Sequence, residues 1–121
     1  MIERLKVLPY DELKKQAACL SSRELCALES VLPVITLAEL AEELGAELPA
    51  ERVLDFLFLL LKSDKQIIRE GAALGLAAHM TFPSVQCALA RAIDAEPSPS
   101  LKHLMAEQLE CSYRDKFSPM A

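Results

Sequence analysis

Residues 51–80, ERVLDFLFLLLKSDKQIIREGAALGLAAHM, are echoed 33 positions later by residues 84–113, SVQCALARAIDAEPSPSLKHLMAEQLECSY. Under that shift Phe56 falls on Leu89, Leu60 on Ile93, Ile68 on Leu101 and Arg69 on Lys102. Ala72 then meets Met105, Ala73 meets Ala106 and Leu76 meets Leu109. Each copy holds an apolar helix, a short polar turn and a second helix. One such hairpin cannot bury its apolar face alone, whereas stacked hairpins share a continuous core. The working part of a chain built this way is a surface, and the pattern specifies no reaction.

The rest of the composition agrees with helices. Hydrophobic residues make up 52% of the 121, enough for a core, and most of them are Leu and Ala. There is no Trp and aromatics reach only 5%, whereas strands favour β-branched and aromatic residues. The expectation is a single all-α domain over residues 1–117, with residues 118–121 as a frayed tail. The N-terminal stretch MIERLKVLPYDELKK is charged throughout and lacks the apolar run of a signal peptide. The longest apolar stretch, Phe56 to Leu61, falls far short of the roughly 20 residues of a membrane span. A cytoplasmic protein without membrane contact is expected.

About seven helices follow from the punctuation. Pro9 starts the first, Tyr10 to Leu20. Ser21 with Glu24 forms a capping-box signature for the second, which Pro33 stops. Thr36 with Glu39 repeats that signature for the third, and Gly45 is read as its left-handed cap. Pro49 opens the fourth, Ala50 to Leu61, apolar nearly all round as a buried helix should be. Ser63 with Gln66, or Asp64, caps the fifth, which runs to about Met80; Pro83 starts the sixth and Ser98–Pro99 the seventh. In the fifth helix Gly71 and Gly75 lie one turn apart among alanines. Each costs about 1 kcal/mol relative to Ala, so the space they leave must be needed, for a close helix neighbour or as the floor of a groove.

The net charge of −5 is unevenly placed. Residues 1–61 carry six basic and eleven acidic side chains, residues 62–121 seven of each. Glu39, Glu42, Glu43, Glu47 and Glu51 supply the excess, with no Lys or Arg between 36 and 50. Such a balance argues against nucleic acid, which needs cations to displace counterions from phosphates. The third-helix carboxylates Glu39, Glu42 and Glu43 share one side at three- and four-residue spacing and, extended by Glu47, form an acidic stripe fit for a basic partner surface.

The segment LLLKSDKQIIREGAALGLA resembles the second half of a HEAT repeat: an apolar helix, a turn carrying Asp64, then Ile68-Arg69 and an Ala-rich helix with Ala72, Ala73, Leu74 and Gly75. The second copy keeps the apolar positions and has Lys102 for Arg69, but puts Glu96-Pro97-Ser98-Pro99 at the turn, as a degenerate or terminal unit would. The resemblance covers about residues 50–113. It implies a short right-handed stack of antiparallel helix pairs, an α-solenoid that binds proteins, with Arg69 engaged in a ladder between successive units.

Chemistry finds little support. The iron-dependent hydroxylases built on such folds use His-Glu pairs, but Met80 follows His79 and Leu104 follows His103. His103 and Glu107 share a helical face, and two ligands make a poor metal site without further donors. Cys19, Cys26, Cys87 and Cys111 form no Cys-x-x-Cys pair and are expected as buried thiols. Cys19 and Cys111 lack the neighbouring His or cations that activate a nucleophile. No catalytic residue, metal or cofactor is assigned.

A rival reading concerns residues 36–61, whose helix, Gly-containing turn and helix resemble the helix-turn-helix core of bacterial regulators. The second helix there offers Glu51, Arg52 and Asp55 and then six apolar residues, which would not read base edges. Related cores serve as dimerisation modules, so the alternative is a helix-turn-helix transcriptional regulator or a dimerisation module that forms a homodimer. The favoured reading is a small non-enzymatic interaction module, an adaptor, inhibitor or chaperone-like protein. Its partner-binding candidates are Glu39, Glu42, Glu43, Glu47, Gly71 and Gly75.

Overall fold

The computed structural model describes residues 2–117, with side chains placed over 4–111; the expected frayed tail at 118–121 lies outside the described residues. After a short 3-10 helix, Ile2–Val7, seven α-helices follow: α1 Tyr10–Ala17, α2 Ser22–Ala27, α3 Val34–Glu47, α4 Ala50–Leu61, α5 Gln66–Leu76, α6 Pro83–Ala95 and α7 Pro99–Phe117. Brief 3-10 turns extend α2 over Leu28–Ser30 and α5 over Ala77–His79. Among the described residues there is no strand.

Boundaries follow local chemistry with three corrections. The Ser21–Glu24 capping box is present in both directions: Glu24 N–H donates to Ser21 Oγ at 3.2 Å, and Ser21 N–H to Glu24 Oε1 at 3.0 Å. The Thr36–Glu39 box is not, because α3 starts two residues earlier at Val34, directly after Pro33. Gly45 does not cap α3 either. It has no positive φ, and the helix continues to Glu47. No side chain caps α5: Ser63 Oγ accepts from Lys65 N–H in the preceding turn instead.

What Gly45 does is structural. α3 and α5 run side by side in the same direction, Ala38 opposite Gly71 and Ala41 opposite Gly75. A Cβ on Gly45 would lie 2.4 Å from Gly75 Cα, one on Gly71 2.4 Å from the Ala38 carbonyl oxygen, and one on Gly75 2.5 Å from that of Ala41. The two backbones are in contact, and only glycine allows it. Of the two readings of Gly71 and Gly75, close packing against a neighbour is the one seen at both. The core spreads from this seam: Leu37, Leu40 and Leu44 of α3, Val53, Phe56, Leu57 and Leu60 of α4, and Ile68, Ala72, Ala73 and Leu76 of α5 are buried. α4 is enclosed by α2, α3 and α5. Towards the ends, Leu13, Ala17, Leu25 and Leu28 close one side and Val85, Leu89, Leu101 and Met105 the other.

Among the described residues three side chains reach main-chain carbonyls 32–35 residues away. Arg52 Nη2 donates to the Ala18 carbonyl at 2.7 Å and also to that of Leu20. His79 Nε2 lies 2.8 Å from the Gly45 carbonyl; since the carbonyl only accepts, that nitrogen carries the proton. Gln108 Nε2 donates to the Ala73 carbonyl at 2.9 Å. All the accepting carbonyls sit in, or just beyond, the last turn of a helix, where intrahelical donors have run out. A side chain from later in the chain satisfies them, and burial of a lone carbonyl is avoided.

The cysteines are a correction. Cys19, Cys87 and Cys111 are exposed and Cys26 is half-buried, so none is a core residue. Burial, then Asp55 and Glu29, push the Cys26 thiol up, away from nucleophilic range.

The glycine seam gives a test. Replacing Gly45 by Ala gains about 1 kcal/mol of helix propensity, yet forces two backbones apart at a site with no flexible neighbour to yield. Gly45→Ala should therefore destabilise by about 3 kcal/mol, as severe overpacking does, read as a lower urea midpoint. An unchanged or higher midpoint would show that the helices are not in contact. Truncating buried Leu57 or Leu60 to Ala should cost about 2–5 kcal/mol in the same assay.

Candidate functional site

The α3–α5 seam leaves a shallow groove on its outer side, about 210 Å³, with Ala38 and Gly71 at its floor and Leu74 beside them. Ile35 and Ile67 stand on its two walls at 63% and 45% exposure, unusually high for isoleucine. Glu39 and Glu42 from α3 and Glu70 from α5 rim it. An apolar trough edged by three carboxylates is thus built from two helices whose spacing the glycines set.

The sequence candidates divide between two places. Glu39, Glu42 and Gly71 meet in this groove. Gly75 does not: it lies one turn deeper, against the Ala41 carbonyl and Leu57. Glu43 and Glu47 turn towards α1, where Lys14 Nζ lies 2.9 Å from Glu43 and 2.5 Å from Glu47. Hydrogen bonds to Glu47 and Glu43 hold the Lys14 ammonium above the ordinary lysine range. The acidic stripe is therefore partly neutralised from outside its own helix, which charge counting along α3 does not reveal.

Five lining residues escaped sequence reasoning as site candidates: Ile35, Ala38, Ile67, Glu70 and Leu74. One signal was available. Ile67 and Ile68 are adjacent, about 100° apart on a helix, and the inward position belongs to Ile68, which is buried.

A second feature lies at the other side of α5. Arg69, in the first turn of that helix, donates from Nε to Glu96 Oε1 at 2.8 Å and from Nη2 to Glu96 Oε2 at 2.9 Å. Its Nη1 donates to the Ser63 carbonyl at 3.0 Å, and Glu96 Oε2 also accepts from Ser98 N–H at 3.0 Å. The helix dipole disfavours a cation at this end, and a bidentate carboxylate compensates. The Glu96 side chain is 2% exposed, that of Arg69 14%. Arg69 is thus a tie between the α4–α5 turn and the residues that precede α7. The Arg69 bond first, with the Ser98 amide, holds the Glu96 carboxyl below the usual range although burial opposes it.

Other titratable groups are dispersed. His103 and Glu107 pair at 2.6 Å on the exposed side of α7. Among the described residues no group of three or more His, Cys, Asp or Glu is placed to hold a metal ion. No helix among them is long and apolar enough to cross a membrane. Comparison with family models, with curated proteins and with solved structures gives no match.

The Glu96 tie predicts a pH dependence. A carboxyl whose folded pKa lies below its unfolded value of about 4.3 contributes stability that is complete above that value and disappears as pH falls through the folded pKa. Glu96→Gln should cost about 3 kcal/mol at pH 7, since it leaves Arg69 half-buried without its counter-charge. Below pH 4 the difference from the parent protein should shrink. Chemical denaturation at pH 7 and pH 3 measures both, and a difference independent of pH would remove Glu96 as the titrating group.

Proposed function

We propose that this chain is a small, non-enzymatic interaction module of the cytoplasm, a HEAT-like stack of helix pairs, and that its α3–α5 groove receives a basic amphipathic segment of a partner protein. The observation that carries this reading is the exposure of Ile35 and Ile67 across an apolar floor rimmed by Glu39, Glu42 and Glu70. Two large apolar side chains kept in water over one trough gain from a partner that buries them. The rim selects its charge. Lysine or arginine beside an apolar helical face would satisfy floor and rim together, the helix-in-groove mode of peptide recognition.

The stack reading is supported by the i to i+33 sequence echo, the parallel α3–α5 pairing, and three ties that each span 32–35 residues. The Arg69–Glu96 pair bridges the turns of the two copies, as the ladder implied by the family resemblance would. A reducing compartment suits a chain whose four cysteines form no disulfide.

The helix-turn-helix alternative fares worse. α4, the helix that would enter a DNA groove, is enclosed by neighbours, and its outward residues include Glu51 and Asp55. A homodimer through the same apolar groove would place Glu39, Glu42 and Glu70 against their own copies, which like charges oppose.

A fluorescent Leu- and Lys-rich amphipathic helical peptide tests the groove. It should bind the parent protein in a salt-sensitive manner, and the Glu39→Lys, Glu42→Lys, Glu70→Lys triple variant should lose most of the association rate. Glu43 and Glu47 stay untouched so that their tie to Lys14 survives. Ile67→Asp should abolish binding without unfolding the protein, because Ile67 already faces solvent. Equal binding by an acidic version of the peptide, or by both variants, would refute the proposal.

A further inference from the structure

On the other side of the molecule a larger hollow separates α4 from α6. Whereas α2 packs closely on α4, α6 makes no comparable contact with it and is held chiefly by α7. The gap measures about 660 Å³, within the range of small-molecule sites. It shares no lining residue with the α3–α5 groove.

The two walls differ in bulk. From α4 come Phe58 and Leu61, one turn apart on one face. From α6 come Ala88, Ala92 and Ala95, which follow the helical repeat and are too small to cross the gap. The adjoining face of α6, Val85 and Leu89, is already spent on the core, and Ala88 and Ala92 pack at its edge. The trough is therefore narrow, apolar and unfilled by the protein's own side chains.

Its charge runs against that of the whole chain. The lining includes Lys62, Arg69 and Arg91 and one acid, Glu96, which is occupied by Arg69 and Ser98. Among the described residues neither Lys62 nor Arg91 has an ion pair. The Arg69–Glu96 tie and Lys62 lie together at the end of the trough where α4 and α6 finish. An apolar furrow lined by two uncompensated cations, on a protein of net charge −5, is complementary to one kind of molecule.

We propose that the α4–α6 hollow binds a single-chain carboxylate amphiphile, a free long-chain fatty acid, with its alkyl chain between Phe58 and Leu61 on one side and Ala88 and Ala92 on the other, and its carboxylate at Lys62 and Arg91. The inference stands independently of the peptide groove.

Cys87 lines the hollow and Cys19 lies outside it, both exposed, so one protein carries a reporter and its control. Full-length protein is titrated calorimetrically with octanoate, decanoate and dodecanoate below their aggregation concentrations. Iodoacetamide labelling of each cysteine is followed by peptide mass spectrometry. The expected result is saturable binding of one dodecanoate per chain, with affinity rising up to about fourfold per methylene along the series. Labelling of Cys87 should slow while that of Cys19 does not change. Lys62→Glu with Arg91→Glu, both on exposed side chains, should weaken dodecanoate by about tenfold or more, an attraction having become a repulsion. Ala92→Phe, with its helical content checked by circular dichroism, should block binding by filling the trough.

Several results would overturn the proposal. One is absence of saturable binding or of Cys87 protection. Another is dodecan-1-ol binding as tightly as dodecanoate, or the double charge variant binding unchanged. A third is protection of Cys87 by anionic phospholipid vesicles or by an acidic amphipathic peptide but not by dodecanoate, which would assign the hollow to a membrane or to a protein.

Discussion

The structure depends on one close approach, the backbone contact between α3 and α5 at Gly45, Gly71 and Gly75. Three interior glycines each oppose helix formation by about 1 kcal/mol, and the helices form because packing outweighs that cost. With no Cβ between them, the two backbones come close enough for Leu37, Leu40 and Leu44 to share one core with Val53, Leu57 and Leu60 of the α4 hairpin. The same approach fixes the width of the groove outside the seam. Had the helices stood at the usual 8–10 Å separation of larger residues, Ile35 and Ile67 would not flank a single trough.

The second constraint is what becomes of helix ends inside a small fold. Each helix leaves its last carbonyls without intrahelical partners, and several of these ends are covered by later segments. The answer recurs along the chain with different residues: Arg52 reaches the end of α1, His79 that of α3 and Gln108 that of α5. An arginine, a histidine and a glutamine share no side-chain family, but each carries an N–H on a long enough arm. The requirement is met from a different place each time, since under the 33-residue shift Arg52 falls on Val85, His79 on Ser112 and Gln108 on Gly75, and for that reason the ties do not show in the sequence echo.

These constraints leave two surfaces with opposite chemistry. Along the α3–α5 seam the carboxylates not taken by Lys14 collect beside exposed isoleucines. Across α5, the loose seating of α6 leaves an apolar hollow whose single carboxylate is already bonded to Arg69. Charge on this protein is not smeared: ion pairing inside the fold removes some groups and thereby sharpens the remainder.

The amino-acid sequence by itself determined the helices. Leu- and Ala-rich composition, prolines at 9, 33, 49, 83 and 99, and the Ser21–Glu24 box place nearly every α-helix within a few residues, because these are local signals acting within one turn. It also marked Ala50 to Leu61 as a buried helix, whose Leu57 and Leu60 are indeed in the core, and the α5 glycines as a place where space is needed. Other features were decided only by tertiary structure. Gly45 looks like a helix stop until α5 lies against it, and Glu43 and Glu47 look like a free acidic face until α1 brings Lys14. The cysteines fit an apolar pattern, yet the faces that carry Cys19 and Cys87 remain uncovered. The α4–α6 hollow is visible in neither helix alone, since a gap between two helices is a property of their distance. Spacing along a chain fixes which residues share a face; what that face meets is set by long-range packing, which no local pattern encodes.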